Sequence, residues 1–224
     1  MKLLKHRLFQ RMLSNKGYTI DQTILIVAII AILITLIIVT VGWQLINRTT
    51  GTKIGAQFKQ VEDANGQFFS AQRVWPHQSL ATGNTQSTAM AVLINNNIPP
   101  ASWATNISQK DLRNLLPGFK PSGTGTAATV AHNFGSGGLI TQQANRLSTA
   151  GTDIRMVVQF ASVPLADAIE ADMVIDGAEG YNTGRLIYGA AACLNTTVNG
   201  ASSVPTTQPT SGNVFVCYGG NTVG

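Results

Sequence analysis

The chain has 224 residues and a formal net charge of +5, and only 11% of its residues are charged. Five of the 15 basic residues (Lys2, Lys5, Arg7, Arg11, Lys16) fall within the first 17 positions, where no acid occurs, so the remainder carries 10 basic residues against 10 acidic ones. A neutral body with a basic leader argues against nucleic acid as the direct partner, because such binders carry a basic face.

The leader reads MKLLKHRLFQRMLSNKG, and it is followed by an apolar run, Ile24 to Ile46, of 23 residues without a charge. About 20 apolar residues suffice to cross a bilayer as a helix. A single run cannot close a barrel, so a helix is the form that satisfies its backbone in lipid. The leader charges predict a cytoplasmic N-terminus and a bulk domain on the other side. A secretory signal places its apolar core before the cleavage site. Here the charges come first, then Gly17, then the apolar run, so a cut at Gly17 removes the charges and keeps the helix.

That arrangement, NKG-YTIDQTILIVAIIAILITLII, resembles the class III leader of type IV prepilins. The resemblance implies a prepilin peptidase that cuts after Gly17 and methylates Tyr18; Thr19 and the aliphatic Ile20 match the pattern that follows. It also implies partners: other pilin subunits in a helical homopolymer, an inner-membrane assembly platform, and the membrane before assembly. The family's fifth mature residue is usually Glu, held to neutralise a neighbour's N-terminal amine. Here that position is Gln22, and the acid Asp21 precedes it. One residue turns a helix by about 100°. Either Asp21 pairs with a Tyr18 amine, or the subunit is a minor or tip pilin; the former is the expectation.

After Ile46 the helical pattern continues in amphipathic form. Ile54, Phe58, Val61, Phe68 and Trp75 make an apolar stripe, with Lys53, Lys59, Glu62, Asp63 and Arg73 expected on other faces. No proline interrupts Tyr18 to Trp75, so one long helix is expected to end at Trp75-Pro76. Gly42, Gly51, Gly55 and Gly66 each weaken it by up to about 1 kcal/mol. The expected segments are a leader (1–17), an apolar helix (18–46), an amphipathic half (47–75) and a globular head (76–224).

Within the head, short helices are expected at Thr88–Asn95 and Gln109–Leu116, and KPSGTGT at 120–126 is expected to be a loop. Strands are expected at Ala127–His132, Asp153–Ala161, Arg185–Gly189 and Asn213–Tyr218. Pro164 opens a helix through Ile175, with Leu165, Ile169 and Met173 on one face and Gly177 closing it. The fold class is therefore α+β: a long helix against a mainly antiparallel sheet. Cys193 and Cys217, in an oxidising compartment, are expected to form a disulfide. That C-terminal region resembles the family's disulfide-bounded region. The layout resembles the larger type IVb pilins, including those of conjugative thin pili, and His132–Gly138 is similar to an Asn-aromatic-Gly-Gly turn before their sheet.

No catalytic set is legible, and no cofactor or metal is called for. Only His6, His77 and His132 occur, no His-x-x-x-His or nucleophile elbow is found, and GSGG at 135–138 lacks the Lys-Ser/Thr of a phosphate loop. The acidic stretch Asp167, Glu170, Asp172, Asp176 and Glu179 reads as a solvated or subunit-facing helix surface, and Asn195-Thr196-Thr197 has the form of a glycosylation acceptor. The expectation is a structural pilus subunit: a single-pass inner-membrane precursor, then an extracellular filament. A minor pilin or pseudopilin, priming assembly or acting at the tip of a pilus or type II secretion system, is the alternative.

Overall fold

The computed structural model describes residues 20–147 and 152–223, with backbone only for 43–48. The predicted leader, with Gly17 and Tyr18, lies outside the described residues. The chain divides into two units, Met1–Ile46 and Asn47–Gly224. The first helix, α1 (Ile20–Gln72), contributes to both.

In the first unit, Ile20–Gly42 is long and apolar enough to span a membrane, and none of that stretch is buried. Its large aliphatic side chains are 43–78% exposed on every side. A helix apolar all round needs an apolar surround on every face. Two of its hydroxyls are satisfied within the helix: Thr35 donates to the Ala31 carbonyl at 2.8 Å and Thr40 to that of Leu36 at 3.0 Å.

The second unit is α+β. Six strands form one antiparallel sheet in the order β1-β2-β3-β4-β6-β5: β1 (Pro121–Ser122), β2 (Thr129–His132), β3 (Gly138–Arg146), β4 (Ile154–Pro164), β5 (Leu186–Gly189) and β6 (Asn213–Thr222). The last strand is inserted between β4 and β5. One sheet face packs on α1 through the predicted stripe. Ile54, Phe58 and Val61 are fully buried, and Phe58 stacks on Phe160 of β4 at 4.1 Å between ring centroids. The other face carries a smaller core of Val157, Ile187, Cys193, Leu194 and Cys217.

Two more helices complete the unit. The apolar α2 (Gln86–Ile94) is buried from Thr88 onward; Thr85 caps its start and left-handed Asn95 (φ 49°) its end. The third, α3 (Leu165–Asp176), ends at Gly177, whose φ of 77° needs no Cβ. Gly51 of α1 lies against α3; a Cβ there would sit 2.7 Å from the Glu170 carbonyl carbon.

Several expectations are corrected. Helix α1 stops at Gln72 rather than Trp75, because Arg73 turns left-handed at φ 60° while its N–H still bonds the Phe69 carbonyl. Trp75 is buried all the same, stacked on Phe69 at 4.5 Å. Residues 109–116 yield a single three-residue turn, Gln109–Asp111: Gln72 bonds Ser108, and Leu115 N–H is taken by the Leu93 carbonyl. The 120–126 loop contributes the edge strand β1. Strand β3 was not expected at all. The His132–Gly138 turn therefore lies inside the sheet, joining β2 to β3, rather than before it. There Gly138 is required, since a Cβ would collide with the Ala161 carbonyl. Of the expected α3 face, Leu165 and Ile169 pack on the core, but Met173 is 46% exposed, and the fully buried positions are Ala168, Ala171 and Asp172.

Candidate functional site

The residues singled out for assembly fall at the start of α1. Asp21 and Gln22 lie in its first turn, both exposed, beside the uncovered apolar surface. The arrangement offers an acid and an amide at the mouth of an oily rod and a continuous greasy surface beyond, which suits packing rather than bond chemistry.

At the opposite end of the sequence, Cys193 and Cys217 are joined, with Cα atoms 6.4 Å apart and both residues buried. The link ties the segment after β5 to β6. A second device, absent from the sequence reading, works beside it. Gln159 of β4 turns its side-chain oxygen onto the N–H groups of Cys193 (2.9 Å) and Leu194 (3.2 Å). Further along, Asn145 accepts from Asn195 N–H at 3.0 Å and donates to the Thr197 carbonyl at 2.9 Å. The Asn195 amide itself donates to the Ala201 carbonyl at 2.8 Å, so the sequon's nitrogen is engaged in shaping the loop.

A buried polar cluster joins α1 to β6. Glu62, expected on an outer face, is 8% exposed and accepts from Tyr218 (2.8 Å), Arg185 (2.9 Å) and Lys59 (3.0 Å). Burial alone would push the Glu62 carboxyl up; the hydrogen bonds from Tyr218, Lys59 and Arg185 outweigh it and hold the group below the usual carboxylate range. Burial, then the bond to Glu62, pushes the Tyr218 phenol up. The Arg185 guanidinium lies 4.8 Å from the Tyr218 ring centroid. A signal existed in sequence: Glu62 is four residues after Phe58 and next to Val61, hence on the buried stripe.

The acidic stretch is not a uniformly solvated surface. Asp176 accepts from the N–H groups of Arg185 (3.0 Å) and Leu186 (2.9 Å), fastening α3 to the start of β5. Asp172 is fully buried and accepts from Gly180 N–H at 2.6 Å. Burial, with Asp176 and Glu179 nearby, pushes its carboxyl up to about 7. Desolvation, with Glu179 and Asp172 nearby, raises the buried Tyr188 phenol to about 12.

Both described histidines are interior. His77 is 3% exposed, neither ring nitrogen has a partner, and burial lowers it to about 4. His132 accepts from Phe134 N–H on Nδ1 (3.1 Å) and donates from Nε2 to the Ala161 carbonyl (2.6 Å), a neutral ring fixing the β2–β3 turn. Among the described residues, no group of three or more His, Cys, Asp or Glu is placed to hold a metal ion. No protein-family model, curated protein or solved structure matches the chain.

Proposed function

We propose that this chain is a structural subunit of a type IV, IVb-like pilus, processed by a prepilin peptidase and polymerised through its N-terminal helix. The observation that carries the proposal is the pairing, in one chain, of an uncovered apolar helix (Ile20–Gly42) with an α+β head. That head has a Cys193–Cys217 disulfide, and a Gly17-Tyr18 junction precedes the helix in sequence. The helix waits in the cytoplasmic membrane, and an assembly platform then moves it into a bundle of its own kind outside the cell. Lipid tails are as apolar as Ile and Leu, so this exchange brings little net hydrophobic drive. Close packing, charge at the helix start and contacts between heads must set the register.

In this reading Asp21 takes the position-five glutamate's task and pairs with the Tyr18 amine of a neighbour; an unpaired carboxylate in an apolar bundle is costly. Replacing Gly17 with Arg is expected to leave a full-length, unassembled precursor. Mature-sized protein from that variant, or a native N-terminus other than Tyr18 by mass spectrometry, refutes the proposal. Gln22 favours a second reading, a minor pilin or pseudopilin, since that class tolerates loss of the glutamate. Purified filaments separate the two: the chain is their bulk component in the first reading and a trace component in the second.

A further inference from the structure

A recess of about 440 Å³ opens between α1 and the turn that joins β2 to β3. One wall is a single helix face, since Lys53, Gln57 and Gln60 recur four and three residues apart. The other wall is Asn133 and Phe134. Pockets of this size take a small organic molecule.

The turn is a fixed wall. Phe134 N–H donates to His132 Nδ1 at 3.1 Å, and the Phe134 carbonyl accepts from Gly137 N–H at 3.0 Å. The buried Phe134 ring stacks on His132 with centroids 5.4 Å apart. Gly135, at φ 58°, has Pro164 so close that a Cβ would collide with it. Asn133 is exposed on this turn. Its presentation costs little further ordering when something binds.

The chemistry of the lining is one-sided. No Asp or Glu lines the recess, and no ion pair among the described residues uses Lys53. By contrast Lys59, further along α1, is paired with Glu62 and Asp63. Gln57 is half-buried, and its side-chain oxygen is fully buried with no hydrogen-bond partner among the described residues. An acceptor left in that state is destabilising, and a ligand hydroxyl that draws the amide into the recess relieves it. Gln60 and Asn133 add two more amides, both exposed. Each amide has a donor and an acceptor side, the complement of a hydroxyl group.

We propose that this recess binds an acidic sugar unit, with its carboxylate on the Lys53 ammonium and its ring hydroxyls on Gln57, Gln60 and Asn133. Several hydroxyls and one anionic group on a rigid ring match three amides around one ammonium. A single ammonium suits the single charge of a carboxylate. A phosphate monoester carries about −1.5 to −2 at pH 7 and finds no second cation in the lining. The site lies wholly on the head, and it goes beyond the pilus-subunit reading without resting on it.

The test titrates the full chain, in mild detergent, with glucuronate, glucose and acetate, followed by ligand-observed NMR. Glucuronate is expected to bind with a Kd on the order of 1 mM, and glucose and acetate more weakly by about tenfold or more. Lys53→Met is expected to weaken glucuronate about tenfold and to leave glucose unchanged. Gln57→Leu is expected to weaken both sugars about fivefold. Met and Leu keep the helix propensity of α1, and an unchanged melting temperature certifies the fold of each variant. Where Gln57→Leu melts early, Lys53→Met, at an exposed position, decides alone. Acetate binding as tight as that of glucuronate reduces the site to a plain anion contact and overturns the proposal. Equally tight glucose, glucuronate binding that Lys53→Met leaves intact, or no binding at all overturns it too. Filament assembly by these variants is scored separately, so either reading can fail alone.

Discussion

Asp172→Asn tests the electrostatics of the α3 anchor. An aspartyl group that titrates near 3.8 in the unfolded chain is pushed up to about 7 in the folded one. Below pH 4 both states hold the proton and the group is silent. Between about 4 and 7 the unfolded chain ionises while the folded one keeps its proton, so folding is penalised progressively as pH rises. Above 7 the penalty is complete, on the order of 4 kcal/mol at about 1.4 kcal/mol per pH unit. Asparagine is neutral throughout and keeps an oxygen for Gly180 N–H. The variant is therefore expected to match the wild type near pH 3.5 and to exceed it at pH 8 by about 2–4 kcal/mol. Urea unfolding of the full chain in mild detergent, followed by the fluorescence of the buried Trp75 and Trp103, measures this. His77 works in the opposite sense. Its depressed value, about 4, costs stability as pH falls from 6.5, but this is common to both proteins and cancels in the difference. Stability curves that run parallel from pH 4.5 to 8.5 would refute the assignment of Asp172 as a buried, proton-holding group.

The remaining predictions concern packing and buried polar contacts. Gly51→Ala is expected to destabilise the head by about 1–3 kcal/mol, because its new methyl meets α3 backbone. Gly55→Ala, whose methyl would lie 3.6 Å or more from Ile175 and Val174, is expected to gain up to about 1 kcal/mol of helix propensity; equal thermal shifts for the two variants would contradict this. Removing the disulfide with Cys193→Ser and Cys217→Ser is expected to cost about 3 kcal/mol for a separation of 24 residues. Gln159→Leu, which orphans two buried N–H groups, is expected to cost about 1–3 kcal/mol per group even with the disulfide intact. Tyr218→Phe removes one donor from Glu62 and is expected to cost about 1.5–3 kcal/mol at pH 7. Because Glu62 is held below its ordinary 4.5, that difference should persist through pH 4.5 and shrink only in stronger acid, as the carboxyl protonates; a cost that already vanishes at pH 4.5 argues against the pairing.

What could be seen in the sequence depended on whether apolar pattern and burial coincide. The stripe Ile54, Phe58, Val61, Phe68 was legible because large apolar residues at helical spacing do face a core. Strand β3 was not, because its interior is polar. Gln142, Gln143 and Asn145 are all buried, and Gln142 and Asn145 are satisfied by partners distant in sequence. No local alternation announces such a strand. The α1 terminus was placed three residues late because proline is visible in sequence and a left-handed Arg73 is not. The acidic stretch read as solvated because nothing local says that Asp172 and Asp176 will meet backbone N–H groups eight to ten residues on. The disulfide partners were legible, while the glutamine that shapes the chain around Cys193 was not.

Three polar contacts are spaced along the head's share of α1: Glu62 to Arg185 and Tyr218, Asn65 to Gln142 at 2.9 Å, and Gln72 to Ser108. Grease alone would let a rod slip by one turn at modest cost, trading each aliphatic neighbour for another. Paired donors and acceptors do not tolerate such slippage, since every slip strands several of them at once. A tug on the helix is thus delivered to the head through a few stiff side-chain clasps, and a pulling experiment would read out the order in which they give way.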